Sequence, residues 1–340
     1  MMINAFCKSL IVGVAAALTL LSSPAQSAQA KELLVVSYDA GREVWQNLGD
    51  AYLKKLKAQG KDDGLTIKYS FGGSAKQAGN IIAGQKADIV GLALPIDLDA
   101  IAAKGLLDAN WRKRPGLPEG ANAYTSTLVF ITRRGNPLGI KDWPDLAKPG
   151  VKVITPNPKT GGGSKLNFLN PYGYVLQNGG TEDDAKALLR KIYANVPVLD
   201  QGARGSAVTF GKGTGDVFIT WEAEGLLTVQ ELGEDKTEIV RPANSILAKP
   251  PISIIDKLVD ERGTRAEAEA LVQFAFSKEG QEIIADSGWR PADPQVAKEH
   301  LTDFPQPTVT WEVEKQFGSW SHIQKTFFSD GGIFDQIYRK

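Results

Sequence analysis

Apolar residues recur along this chain with two periods, and the periods alternate. Leu33-Leu34-Val35-Val36 is a short continuous apolar run bounded by turn residues, the pattern of a buried strand. From Glu43 to Lys57 apolar side chains fall at Val44, Leu48, Tyr52, Leu53 and Leu56, spacings that predict a helix with one buried face. Leu65 to Tyr69 alternates as a strand. A Gly-Gly-Ser turn, a helix through Ile81 and Ile82, and a buried strand at Ala87 to Ala93 follow. Such alternation predicts an α/β fold, a parallel sheet with helices on both faces. Ligands of such sheets sit at the carboxyl ends of the strands.

Tyr124 to Arg133 breaks the rhythm with a β-rich run long enough to cross between two lobes. A second αβ unit comes next. It comprises a strand at Lys152 to Thr155, a Gly-rich turn, a helix near Leu166 to Gln177 and a helix at Thr181 to Ala194. A strand at Val196 to Leu199, a Gly-Ala-Arg-Gly turn and a strand at Asp216 to Trp221 complete it. Glu238 to Ile255 is β-rich again, punctuated by Pro242, Pro250 and Pro251, and is the natural return crossing. Thr264 to Asp286 reads as one long amphipathic helix. The two crossings place lobe I at residues 31–125 and 246–340 and lobe II at 126–245. The last twenty or so residues are expected to reach across to lobe II.

The N-terminus reads as an export signal. Lys8 precedes an apolar run from Leu10 to Leu21, Ser22-Ser23-Pro24 breaks it, and Ala28-Gln29-Ala30 is an A-x-A cleavage site. Residues 1–30 are therefore expected to be removed, giving a periplasmic protein that starts at about Lys31. The single cysteine, Cys7, would be lost with the leader, so no disulfide or thiolate metal site is expected. The chain carries 39 basic and 39 acidic residues, and Lys8 is the only charge in the leader. A balance this close to neutrality lacks the basic excess of a nucleic-acid partner. About 310 residues exceed a single ordinary core and suit two lobes.

Four small-residue segments stand where strands or loops give way to helices: Ser37-Tyr38-Asp39-Ala40-Gly41, Gly72-Gly73-Ser74-Ala75-Lys76-Gln77, Thr160-Gly161-Gly162-Gly163-Ser164 and Gly202-Ala203-Arg204-Gly205-Ser206. Taken singly, each is a turn or a cap. Taken together they offer several helix starts, whose free N–H groups and dipoles bind an anion without a cationic side chain.

These residues resemble the periplasmic sulfate-binding proteins that feed ABC-type sulfate and thiosulfate importers. Besides the four segments, the likeness runs through Tyr124-Thr125-Ser126-Thr127, Lys148 to Lys159, Gly215-Asp216-Val217, Trp221-Glu222 and Gly331 to Ile337. The resemblance implies a two-lobed Venus-flytrap receptor of the type II periplasmic-binding-protein fold, with two hinge crossovers. It implies a monomer that hands its ligand to membrane permease subunits driven by a cytoplasmic ATPase, with no cofactor. Carried over, the sulfate donors are the N–H groups of Asp39, Gly161, Gly162, Gly163 and Ala203, the Ser74 hydroxyl and the Trp221 indole. Arg204 is implied in support. The family commonly has Ser where Gly161 stands, so a hydroxyl is missing here unless Thr160 or Ser164 turns inward. The donor-only set suits sulfate, which carries no proton at neutral pH, and suits it better than hydrogen phosphate. Thiosulfate and molybdate share that donor chemistry and stay open.

A secreted hydrolase is the competing class. Lys159-Thr160-Gly161 matches the K-T-G of β-lactamases, but S-x-x-K and S-D-N are missing, as are G-x-S-x-G and a P-loop. His300 and His322 have no acidic partner at a recognisable spacing.

Overall fold

The structure is a computed structural model that describes residues 31–118 and 120–338. The expected leader and its cleavage site lie outside the described residues. Strands run in the order β1 (Glu32–Tyr38), β2 (Thr66–Gly72), β3 (Ile89–Gly91), β4 (Tyr124–Thr125), β5 (Leu128–Arg133), β6 (Val153–Pro156) and β7 (Leu199–Asp200). There follow β8 (Val217–Trp221), β9 (Thr237–Val240), β10 (Asn244–Ile246), β11 (Ile252–Ile254), β12 (Arg290–Pro291) and β13 (Val309–Trp311). The helices used below are α1 (Arg42–Ala58), α2 (Ser74–Ile82), α3 (Pro95–Ala102), α4 (Gly162–Gln177), α5 (Glu182–Ala194) and α6 (Ala203–Gly211), then α7 (Glu222–Leu232), α8 (Asp256–Arg262), α9 (Arg265–Phe276) and α10 (Lys278–Asp286).

Two sheets carry the molecule. The first has the order β11-β3-β1-β2 and the second β7-β6-β8-β5-β9. The expected α/β architecture holds, but neither sheet is purely parallel. In the first, β11 joins β3 antiparallel, and in the second, β5 runs antiparallel to both β8 and β9. Each exception belongs to a strand adjoining a crossing, where the chain enters or leaves a sheet from the other body and its direction follows from that route. At the crossings the two connections lie side by side. Ser126 and Ala248 exchange backbone hydrogen bonds of 3.0 and 2.8 Å, and the Leu128 N–H donates to Ser245 Oγ.

The apolar periodicity of α1 is its buried face: Val44, Trp45, Leu48 and Tyr52 are buried against the first sheet. The long helix expected over Thr264 to Asp286 is instead two helices, α9 and α10. Ser277 takes an extended conformation (φ −72°, ψ 159°) and its hydroxyl accepts from the Gly280 N–H, capping α10 and ending α9. At the C-terminus the short helix Ile333–Ile337 packs on α4 and α5, with Phe334 5.6 Å from Phe168 and 5.8 Å from Tyr193 between ring centres. Among the described residues no helix is long and apolar enough to cross a membrane.

Candidate anion site between the two sheets

Four chain segments leave the carboxyl ends of their strands and point at one cavity of about 40 Å³. That is a few times what one water needs on the same measure, room for a small ligand and no more. β1 runs into the 3-10 turn Asp39–Gly41, β2 into α2, the loop after β6 into α4, and β7 into α6. The residues preceding these starts are Tyr38, Gly73, Gly161 and Gly202, and no side chain caps any of the four. Where the sequence supplies Thr181 or Ser277 at the same position, the hydroxyl accepts a helix N–H. At the cavity that partner is missing, so the first-turn N–H groups of Asp39, Ser74, Gly162 and Ala203 stay available.

The glycines here are not demanded by backbone conformation, since φ is −59° at Gly73, −103° at Gly161 and −158° at Gly202. At Gly73, Gly162 and Gly202 the chain instead makes a close approach across the cleft, whereas Gly161 is crowded only by Ser164 Oγ of its own loop, at 2.6 Å from an added Cβ. A Cβ on Gly73 would lie 2.9 Å from the Thr160 carbonyl, one on Gly202 2.6 Å from Asp39 Oδ2, and one on Gly162 2.8 Å from Ser74 Cβ. Gly163 approaches the Trp221 ring at 3.1 Å on the same construction. Each contact at Gly73, Gly162 and Gly202 joins a segment of the first sheet to a segment of the second, so the structure is of the closed form.

The structure brings Asp39, Ser74, Gly161, Gly162, Gly163, Ser164, Ala203 and Trp221 to the cavity wall. Thr160 and Arg204 do not line it. Several expected donors are already engaged. The Gly161 N–H donates to the Asn157 carbonyl at 3.0 Å, which removes it from the donor set. The Ser74 hydroxyl donates to Asp97 Oδ2 at 2.5 Å and accepts from the Ala93 N–H at 3.0 Å. The Trp221 indole is only weakly held, donating to the Gly163 carbonyl at 3.3 Å. Neither neighbour of Gly161 restores the missing hydroxyl. Thr160 Oγ1 donates to the Gln201 carbonyl at 2.9 Å, and Ser164 Oγ to the Gly161 carbonyl at 2.7 Å.

Electrostatics around the cavity are set mostly by burial. Asp39 caps no turn; its carboxyl is raised by burial, against the lowering pull of Arg42 and Lys76. Asp97 on α3 is raised by burial, with Lys165 of α4 and the Ser74 hydrogen bond opposing. Burial likewise lowers Lys165, with Asp97 countering. Arg204 faces away from the cavity, donating to Glu224 at 3.3 Å and Glu231 at 2.6 Å on α7. Trp221 is set in an aromatic group with Tyr38 at 5.8 Å and Trp289 at 6.0 Å.

Reading the sequence missed Asp97, Asn167, Thr220 and Trp289. Only Thr220 left a trace, as the one polar residue before Trp221 in the apolar strand Val-Phe-Ile-Thr-Trp. His300 also differs from expectation: Asp303 at 2.8 Å and Glu282 at 3.1 Å flank it. That cluster is no part of the cavity wall. Among the described residues no group of three or more His, Cys, Asp or Glu side chains could hold a metal ion.

A small cavity lying between two α/β bodies and walled by uncapped helix starts defines a binding protein of the two-lobed, flytrap type. The chain belongs to the bacterial extracellular solute-binding proteins, whose family model matches residues 33–290. This is a receptor class and not an enzyme class. The chain is 48% identical to the sulfate-binding protein of Escherichia coli K12, over 94% of this chain and 97% of that one. It is 43% identical to the thiosulfate-binding protein of Pseudomonas aeruginosa, over 91% and 92%. Among solved structures it is similar to the sulfate-binding protein SubI of Mycobacterium tuberculosis, with a TM-score of 0.79 at 25% identity, covering 88% of this chain and 99% of SubI.

Proposed function

We propose that this protein binds sulfate in the cleft cavity and delivers it to the membrane subunits of an ABC importer. The observation that carries the reading is the set of uncapped helix starts converging on one small cavity. Each of the three α-helix starts contributes roughly 0.3–1 kcal/mol toward a nearby anion at an exposed surface, and up to about 2 when partly buried, while the short turn at Asp39 offers its free N–H. Their sum suits a dianion without any cationic side chain in contact. Asp39, Ser74, Gly162, Gly163, Ala203 and Trp221 are the proposed ligand residues. Thiosulfate is the second reading, favoured by the 43% identical thiosulfate-binding relative.

Residues 31–125 and 246–340 form the proposed lobe I and residues 126–245 the proposed lobe II, with the crossings near Ser126 and Ala248 as hinge. The protein is exported to the periplasm, cleaved near Ala30 and monomeric. A ligand that touches both lobes favours closure by its differential affinity for the closed form. Small-angle scattering with and without sulfate tests the reading. The radius of gyration is expected to fall on adding sulfate, and an unchanged radius at saturating sulfate would overturn it.

A further inference from the structure

Three residues that line the cavity hold a buried side-chain atom without a hydrogen-bond partner: Tyr38 Oη, which lies toward Tyr124, Thr220 Oγ1 and Asn167 Oδ1. Thr220 is 2% exposed and Asn167 is 3% exposed. A buried polar group left unpaired costs on the order of 1–3 kcal/mol, so their gathering around one small cavity points to a ligand there; of the three, Thr220 and Asn167 belong to the second sheet and the helix packed on it. The Asn167 and Thr220 atoms differ in kind. Asn167 Nδ2 donates to the Ile219 carbonyl at 3.0 Å and to Thr155 Oγ1 at 3.2 Å, which fixes its Oδ1 as an acceptor. The Thr220 hydroxyl carries a proton and has nothing to give it to.

The other serine and threonine hydroxyls around the cavity are committed. Ser74 has a single proton, directed at Asp97, while Ser164 donates to the Gly161 carbonyl of its own loop and Thr160 to the Gln201 carbonyl of the loop before α6. Gly161 has no side chain to offer. Thr220 precedes Trp221 at the carboxyl end of β8, beside the start of α7. Its methyl group lies toward Gly225 of α7, 3.5 Å from where a Cβ on that glycine would stand, so the hydroxyl branch is free of that packing.

We infer that Thr220 is a ligand-binding residue of this site: its hydroxyl donates to the bound tetrahedral oxyanion and supplies the side-chain donor that Gly161 lacks. This rests on the sulfate reading above. It adds a contact from the second sheet, next to Trp221, so the anion draws on both the end of β8 and the uncapped helix starts. Asn167 Oδ1, an acceptor, has no such role toward a fully deprotonated anion.

Thr220→Val removes the hydroxyl and keeps the branched shape, and Thr220→Ser keeps the hydroxyl. Calorimetric titration with sulfate on ligand-stripped wild type and both variants tests the assignment, with thermal unfolding of the ligand-free proteins alongside. Hydrogen bonds to charged groups contribute about 1.5–3 kcal/mol, so Thr220→Val is expected to weaken sulfate about 10- to 150-fold. Thr220→Ser is expected to stay within a few-fold of wild type. The ligand-free unfolding midpoint of Thr220→Val should not fall, because an unpaired buried hydroxyl has been replaced by a methyl. Wild-type sulfate affinity in Thr220→Val would overturn the assignment and leave the function standing. Equal weakening in both variants would also overturn it, pointing to packing. A wild-type protein that binds no sulfate would sink the functional reading, and this assignment with it.

Discussion

Gly162→Ala separates closure of the cleft from stability of the fold. Its added Cβ would stand 2.8 Å from Ser74 Cβ and 2.9 Å from Ala93 Cβ, both belonging to the opposite body. Neither contact can be relieved by a rotamer, since all three atoms are fixed to backbone. Carbon atoms settle at about 3.5 Å or more, so the two walls must part by roughly 0.7 Å at the ligand. Overpacking of this kind costs about 1–3 kcal/mol, which at 1.4 kcal/mol per factor of ten is about 5- to 150-fold in affinity. The cost falls on the closed form alone. Calorimetric titration with sulfate should therefore show that loss, and the ligand-free unfolding midpoint should hold. Sulfate affinity within twofold of wild type would refute the reasoning. So would a fall in the ligand-free midpoint as large as the loss in binding, because the crowding would then lie inside one body.

Three further expectations can be checked together. Asp97 has a raised carboxyl because of burial, and once protonated it can donate to Ser74 and free the Ser74 proton for the anion. Sulfate affinity should thus rise as pH falls into the range where Asp97 takes up its proton, and Asp97→Asn should remove that dependence; a pH-independent wild type would contradict it. Glu224 is pushed up to about 7 by burial, against the lowering effect of Arg204. A folded carboxyl above its ordinary 4.5 binds its proton more tightly than the unfolded chain does. Stability should therefore fall as pH rises from about 4.5 through 7, and Glu224→Gln should flatten the thermal-unfolding profile between pH 5 and 8. Hydrogen phosphate should bind about 5- to 150-fold more weakly than sulfate, since its proton meets a wall of donors; equal affinities would mean that Asn167 Oδ1 accepts that proton.

Much of the fold was legible because it rests on local pattern. The apolar spacing of α1 and the buried runs of β1 and β3 announce themselves, and Gly73, Gly161 and Gly202 mark helix starts without a capping side chain. The direction of β5 was not legible, because strand direction is set by partners far along the chain and not by the strand's own residues. The break at Ser277 was present in the sequence as a Ser followed by Gly280, but the apolar spacing of Leu271, Phe274 and Ile284 runs across it. At the site, the glycines were found by their clustering. The engagement of Ser74 by Asp97 and of the Gly161 N–H by Asn157 was not, because each depends on a partner brought in by the fold. Asn167 stayed hidden for the same reason, and the trace left by Thr220 carried no role: a polar residue in a buried stretch reads as a satisfied core residue until its partners are counted.

The measurement that tests the central claim most directly is the amide nuclear magnetic resonance spectrum of the uniformly labelled protein, titrated with sulfate. If the uncapped helix starts hold the anion, the amide signals of Asp39, Ser74, Gly162, Gly163 and Ala203 and the Trp221 indole shift downfield together and gain protection from exchange. The Gly161 amide, bonded to Asn157, should move least among these neighbours. Saturable sulfate binding that leaves those amides unmoved would contradict the account and place the anion elsewhere on the molecule.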